Sequence, residues 1–450
     1  MLPNEQYPSR ARAWVTVGIL MLAYILSFVD RQILSLLVEP IKSDLSLSDT
    51  QISILMGFAF ALFYTICGFP LGRLADSRSR RGLIAVGIIL WSAATAACGL
   101  AKTYFQFLLG RIAVGVGEAA LNPAAYSLIA DSFPSERRAT AMSVYAMGIY
   151  LGSGAAFLLG GIVIDLTAQT ASMTLPWVGE LRTWQIIFLG FGAAGIVFTL
   201  LLLAIKEPRR KGAGAGVALP IGEVVRYMGR NRKTLLSHNL GFAGLTFAGY
   251  GSAAWIPTFF MRTHGWEPGQ VGMVYGGTVA VFGCLGVIFG GRLADWLTQR
   301  GYTDANLRVG VYAALGALPT VLLYPLVDDA TLAAIIIAPS VFCLSMPFGV
   351  AAAALQEIMP NSMRGQSIAL YSLIANLLGL GIGPTAVALV TDYGFGDDLA
   401  LRYSLLLVTS VALVFSVMVL GNGLKHYRES VRFLHTWSPD AQAANSAPAR

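Results

Sequence analysis

Apolar runs of about 20 residues recur twelve times along this 450-residue chain, each long enough to cross a bilayer core of about 30 Å as a helix. They run from Trp14 to Val38, Ile52 to Leu71, Leu83 to Leu100, Phe105 to Ala130, Ala139 to Ile164 and Trp184 to Ile205. The second six run from Leu235 to Met261, Val271 to Gly291, Val309 to Val327, Leu332 to Glu357, Ser367 to Val390 and Ala400 to Leu424. A helix satisfies its own backbone hydrogen bonds, which lipid cannot do, so the pattern predicts an all-α integral membrane fold of twelve transmembrane helices. Only 12% of the residues are charged, against about 25% in soluble domains, which argues against a soluble enzyme. Arg10 and Arg12 precede the first run as in a signal peptide. That run is too long for a signal, however, and meets Asp30-Arg31 where a cleavage site would need small residues, so it is expected to be retained.

The net charge of +7 raises the question of nucleic acid, and the placement of the bases answers it. The N-terminus, alternate loops and the C-terminus hold 24 of the 31 basic residues, and the other loops hold four. Loops retained in the cytoplasm keep Lys and Arg, so both termini are expected there, in a bacterial inner membrane, with the basic face toward membrane lipids and no nucleic acid partner. The remaining bases, Arg31, Arg111 and Arg402, fall inside the runs. Cys67, Cys98, Cys284 and Cys343 also lie inside them, with neither a disulfide framework nor a metal-binding spacing.

Residues 206–234 divide the chain, giving a cytoplasmic N-terminus (1–13), a six-helix bundle (14–205), a cytoplasmic linker (206–234), a second bundle (235–424) and a tail (425–450). The tail is expected to be disordered from about Ser438, where Ala, Ser and Pro dominate. Gly72-Arg73-Leu74-Ala75-Asp76 followed by Arg81-Gly82 recurs as Gly291-Arg292-Leu293-Ala294-Asp295 followed by Arg300-Gly301. Pro134, Arg138 and Tyr145 recur as Pro360, Arg364 and Tyr371. Repetition in the same inter-helix loop of each half predicts two pseudo-symmetric six-helix bundles.

At these residues the chain resembles the major facilitator superfamily, over nearly its whole length. The resemblance implies alternating access, with Asp76 in a cytoplasmic latch formed with neighbouring arginines, here Arg80, Arg81, Arg137 and Arg138. It also implies a small residue at Gly72 for close helix approach. Asp295 is the second copy's counterpart, followed by Trp296-Leu297 instead of Ser77-Arg78. Ser27-Phe28-Val29-Asp30-Arg31, Gly115-Val116-Gly117-Glu118-Ala119, the stretch Ser127 to Phe133 and Gly152-Ser153-Gly154 together resemble the spinster branch. That resemblance implies proton-linked carriage of lysophospholipids or sphingoid lipids.

Independently of any family, ionisable groups inside membrane helices are costly and mark functional cavities. At 1.5 Å per residue Asp30 lies roughly 24 Å from the inner edge of helix one, while Arg111 and Glu118 lie roughly 9 and 20 Å from the outer edge of helix four. Arg111 is therefore expected to pair with Asp30 and to meet a substrate head group. Glu118, desolvated near the midplane, is the expected carrier of the coupling proton, with Asp30 the alternative carrier. A static ion-pair network locking helices one and four is the competing reading. Arg31 either joins this network or snorkels to the outer interface.

The cores of helices seven to eleven contain no Lys, Arg or Asp, and few amides. A sugar site needs several polar partners, so this half fits an acyl chain better. Trp255, Tyr275, Met346 and Phe348 are candidate tail contacts, and Tyr145, Tyr150, Tyr250, Tyr371 and Asn376 candidate hydrogen-bonding residues of the cavity. For each, ordinary helix packing or hydrogen bonding to neighbouring backbone is the bland alternative.

His238, near the cytoplasmic start of helix seven, reads as structural. Gly115 to Ala120 fits the dinucleotide pattern G-x-G-x-x-A but lies in an apolar run without a βαβ context, so its glycines are read as helix contacts. No G-x-x-x-x-G-K-[ST] loop occurs, so a proton gradient is the expected energy source, without ATP or another cofactor. A monomeric, proton-coupled transporter of an amphipathic lipid-like substrate is the leading expectation. The alternatives are a symporter of a small organic anion, in which Arg111 binds a carboxylate, or a drug/proton antiporter. An enzyme would need a catalytic cluster that four dispersed histidines do not supply.

Overall fold

The structure, a computed structural model, describes residues 7–167, 172–175, 179–208, 210, 221–360 and 363–436. Helices one to six are Arg10–Leu36, Asp49–Ser77, Arg80–Cys98, Tyr104–Ser132, Thr140–Leu166 and Thr183–Ala204. Helices seven to twelve are Arg232–His264, Pro268–Gln299, Ala305–Leu326, Ala330–Ile358, Arg364–Phe395 and Asp398–Leu434. All but helix seven are apolar enough by composition to cross a membrane, and helix seven has the length, at 33 residues. The face bearing the start of helix one and residues 206–234 is termed the basic face, and the other the opposite face.

Most helices outrun their apolar segments, because intrahelical hydrogen bonds continue through charged turns beyond the lipid. Gly72 to Asp76 therefore form the last turns of helix two, and Gly291 to Asp295 lie within helix eight, which corrects their expected placement in loops. Local caps set several helix starts. Ser48 and Gln51 form a reciprocal capping box, Thr103 Oγ1 accepts from Gln106 N, and Asp329 Oδ1 accepts from Leu332 N.

Two smaller features lie outside the twelve-helix expectation. A two-stranded antiparallel hairpin, Ser172–Leu175 against Gly179–Arg182, sits on the opposite face between helices five and six. Between the halves, the surface helix Ile221–Arg230 buries Val224 and Tyr227, and the Tyr227 hydroxyl donates to Ile358 O at 2.7 Å. The helical run at the end of the chain continues to Thr436, where Phe433 packs on the Tyr227 ring at 5.6 Å. The expected disorder from Ser438 and the Gly/Ala stretch 212–218 lie outside the described residues.

One buried cluster belongs mostly to the first six helices and includes Leu20, Phe60, Trp91 and Leu121. The other runs from Ile33, Leu36 and Ile52, near the opposite face, into Trp255, Phe259 and Tyr324 of the second half. Core packing thus joins the halves at the opposite face. Gly115 and Gly117 are helix contacts, as read from sequence: a Cβ on Gly115 would stand 2.7 Å from Phe60 O, and one on Gly117 2.7 Å from Trp91 N.

Candidate functional site

Between the halves lies a cavity of about 1420 Å³, larger than the usual 300–1,000 Å³ of small-molecule pockets. It reaches the basic face at Arg73, Asp76 and Gly365, and ends near Arg31, Gln32 and Tyr250. Among the described residues, the second-half wall carries no charged side chain. Of the residues expected there, Tyr150, Tyr250, Tyr275, Phe348, Tyr371 and Asn376 line the cavity. Tyr145, Trp255 and Met346 do not. Tyr145 is fully buried against Tyr24, with ring centroids 4.8 Å apart, and Trp255 donates its indole N–H to Pro384 O at 2.9 Å. Met346 is buried where its backbone meets Gly290. His238 is likewise buried, with Nε2 2.7 Å from Ala351 O, and fastens helix seven to helix ten.

At the inner end of the cavity, Arg31 and Glu118 form the ion pair. Arg31 Nη2 and Nε lie 2.5 and 2.7 Å from Glu118 Oε2, which also accepts from Ser27 Oγ at 2.6 Å. The Arg31 side chain is 9% exposed, into the cavity, and its guanidinium lies 4.5 to 5.0 Å from the ring centroids of Phe28, Phe60 and Tyr64. This corrects the snorkelling alternative: Tyr24, Phe28 and Arg31 share one helix face, and that face turns inward. Glu118 is buried behind Arg31, with Oε1 lacking a partner among the described residues.

Arg111 is not paired with the Asp30 carboxylate, contrary to expectation, and does not line the cavity. Its Nε donates to Leu55 O at 3.0 Å and its Nη1 to Asp30 O at 3.2 Å. The π-helical turn Ile54–Phe58 alters the local hydrogen-bond ladder of helix two, where the Leu55 carbonyl takes this donor. Asp30 is buried beside it, with Oδ1 unpartnered among the described residues.

The opposite face is closed by a clasp that sequence reading missed, because its members look like ordinary loop charges. Arg262, at the end of helix seven, reaches Glu39 Oε1 and Asp49 Oδ2 of the first half, each at 2.6 Å. Lys42 bridges Asp49 at 2.9 Å and Asp398 of the second half at 2.5 Å, and Thr50 donates through N and Oγ1 to Asp392. Desolvation alone would lower the Lys42 pKa, but its bonds to Asp398 and Asp49 outweigh this and raise it. Just inside, Gly57 faces the Leu380 carbonyl so closely that no Cβ fits.

On the basic face the residues of the expected latch are apart. Asp76 and Asp295 are exposed and form no ion pair among the described residues. Gly72 lines the cavity, with Pro123 Cβ an ordinary 3.8 Å from a built Cβ, so no close approach requires glycine in this conformation. Arg80 is fully buried and pairs with Asp131 and, at 3.0 Å, with Glu207, while Arg81 donates to Ile205 O at 3.1 Å. These bonds fasten the first bundle to itself and to the start of the linker, and none of them engages Asp76. Arg137 is exposed, and the half-buried Arg138 leaves its Nε without a partner among the described residues.

Burial would raise the Glu207 pKa, but hydrogen bonds from Ser79 and from the Arg80 N and Nε hold its carboxyl below the ordinary range. Its contribution to stability is therefore present above the ordinary glutamate pKa and is lost as pH falls through the lowered value. Arg80→Ala is expected to cost about 3 kcal/mol, the low end for breaking a buried ion pair, because partly exposed Glu207 can rehydrate. The apparent melting temperature in detergent at pH 7 measures this, and an unchanged value would show that the cluster does not hold the bundle.

Comparison with known proteins agrees with this architecture. The model of the Major Facilitator Superfamily matches residues 20–384. An "MFS-type efflux pump" of Mycolicibacterium smegmatis is 32% identical over 412 residues, which cover 90% of this chain and 91% of the pump. The sphingosine-1-phosphate transporter SPNS2 of Danio rerio is 25% identical over 441 residues, 91% of this chain and 84% of that one. A crystal structure of a bacterial homolog of the human lysosomal transporter Spinster, inward-facing and unoccupied, superposes with a TM-score of 0.75 at 26% identity, covering 96% of this chain and all of that chain. The chain belongs to the major facilitator superfamily, in its spinster branch, and is a multi-pass membrane transporter, not an enzyme.

Proposed function

We propose that this transporter moves an amphipathic, lipid-like substrate with an anionic head, coupled to protons, by alternating access. The observation that carries the reading is the asymmetry of the cavity wall: Arg31, tied to buried Glu118, stands on one side, and an uncharged surface, mostly aromatic and aliphatic with scattered Ser and Thr hydroxyls and Asn376, stands on the other. The head group meets Arg31 and competes with Glu118 for it. Once Arg31 is drawn away, Glu118 is a buried carboxylate without its counter-ion and takes up a proton. Substrate and proton thereby become linked through one guanidinium. Asp30, buried beside Arg111, is a second candidate proton carrier.

With the basic face assigned to the cytoplasm by its Lys and Arg excess, the conformation is inward-open and both termini are cytoplasmic. We place the protein in a bacterial inner membrane, acting as a monomer on a proton gradient without nucleotide, since the cavity is complete within one chain. Export of amphipathic drugs is a second reading, favoured by the relative named as an efflux pump.

A series of alkyl phosphates tests the substrate class. Each added methylene is expected to contribute up to about 0.8 kcal/mol, roughly fourfold in affinity, until the apolar wall is filled. A series whose affinity does not change with chain length would identify a carrier of small anions.

A further inference from the structure

Asn122 of helix four sits among tyrosines from three other helices of the first half. The Tyr145 hydroxyl donates to Asn122 Oδ1 at 2.6 Å. Asn122 Nδ2 donates to the Tyr64 hydroxyl at 2.8 Å and to the Tyr24 hydroxyl at 3.4 Å. This amide orientation gives each of its two N–H protons one phenol oxygen and its carbonyl one phenol proton, whereas the flipped amide would leave a proton over. Buried Tyr145 is stacked on Tyr24 with 11° between the ring planes, which fixes its hydroxyl against the amide.

The donor direction has a consequence for the cavity. Tyr64 and Tyr24 both accept from Asn122, so each keeps its own O–H to donate, and neither has an acceptor among the described residues. Both line the cavity, as does Asn122. The Arg31 guanidinium lies 5.0 Å from the Tyr64 ring centroid, and its Nη1 makes no hydrogen bond among the described residues. Two phenol donors and both N–H groups of Arg31 Nη1 are thus left unspent on the same side of the cavity.

We propose that Asn122 is a positioning residue that orients the Tyr64 and Tyr24 hydroxyls as donors, forming with Arg31 a cradle for a phosphate or carboxylate head group. Donors already turned by an amide held between three phenols need no reorientation when an anion arrives, and hydrogen bonds to a charged acceptor are the strong kind. A neutral head gains less from such a site. The cradle therefore sets head-group selectivity, while the second-half wall takes the tail. The inference rests on the reading that the cavity holds an amphiphile with an anionic head, and three ligands separate the two claims.

Wild type, Tyr64→Phe and Asn122→Leu in nanodiscs are titrated with dodecyl phosphate, with dodecanol, which has the tail without the charge, and with phenyl phosphate, which has the head without the tail. Empty nanodiscs supply the partition correction. Both variants are expected to bind the two phosphates about tenfold or more weakly and dodecanol as wild type does, since a hydrogen bond to a charged group is lost and no tail contact changes. Tyr64→Phe removes one oxygen and keeps the ring, so it tests the cradle even where Asn122→Leu disturbs packing. Equal losses for all three ligands, unchanged phosphate affinity, or a wild type that binds no phosphate would each overturn the cradle. A wild type that binds phenyl phosphate through Asn122 but neither dodecyl chain would instead uphold the cradle and overturn the amphiphile reading.

Discussion

Glu118→Gln is expected to leave substrate exchange across the membrane intact and to abolish accumulation driven by a pH gradient. Glutamine keeps the size of Glu118 and can still accept from Ser27 and Arg31, the contacts seen at 2.6 and 2.7 Å. It removes the charge, so the site stays in the electrostatic state that a protonated glutamate would have. Wild-type protein moving one proton per substrate can accumulate substrate up to about tenfold per pH unit, because one unit is worth 1.4 kcal/mol. The variant should equilibrate substrate to about onefold whatever the gradient. Counterflow of labelled substrate, with and without the gradient, separates the two effects. Retention of gradient-driven accumulation would move the coupling role elsewhere, with Asp30 the first alternative.

The second large effect concerns the closed face. A valine at Gly57 would drive its Cβ into the Leu380 carbonyl, where helices two and eleven touch across the two halves. Overpacking of this kind costs about 1–3 kcal/mol, and here that cost falls only on conformations closed at the opposite face. The population should shift toward conformations open at the opposite face by about 5- to 150-fold. Arg262→Ala should push the same way by removing the pairs to Glu39 and Asp49. Ser35 lines a small void of about 20 Å³ beneath the clasp, so a cysteine there reports opening through labelling by an impermeant maleimide. Labelling from the opposite face should be slow in the Ser35→Cys background and at least several-fold faster with Gly57→Val. Gly68→Ala on the same helix is the control, because no atom lies within 4 Å of its added Cβ. Equal labelling in all three would mean that this contact does not govern closure.

The open arrangement at the basic face accounts for the free latch. Asp76 and Asp295 stand exposed where the halves have separated, while Arg80 and Arg81 serve the interior of one bundle. A motif shared by both halves identified the right face of the molecule. It did not reveal which of its charges hold the bundle together and which stand unpaired in this conformation.

The twelve helices were legible because the bilayer dictates their length and lipid cannot satisfy a bare backbone. Their ends were not, since charged turns continue a helix after the apolar signal stops, as at Gly72 to Asp76. Among the buried charges, depth arithmetic brought Asp30, Arg111 and Glu118 to notice but chose the wrong arginine for the cavity. Arg31 and Asp30 are adjacent, about 100° apart around the helix, and of the two only Arg31 faces the cavity. The stripe Tyr24, Phe28, Arg31 was the available sign that the arginine does. Asn122 carried a similar sign, being four residues from both Glu118 and Tyr126 on one helix face. An uncharged amide in an apolar run carries little signal by itself, and its tyrosine partners come from helices that only the tertiary fold brings together.

The coupling of an amphipathic anion to protons is tested most directly by following both in the same proteoliposomes. Lysolipids, sphingoid phosphates and small organic acids would be presented in turn under an imposed pH gradient, with a trapped pH dye reporting proton movement. Saturable lipid movement should be accompanied by proton movement in wild-type protein and lose it in Glu118→Gln. Saturable movement of organic acids alone, or lipid movement in wild type with no accompanying protons, would contradict the account.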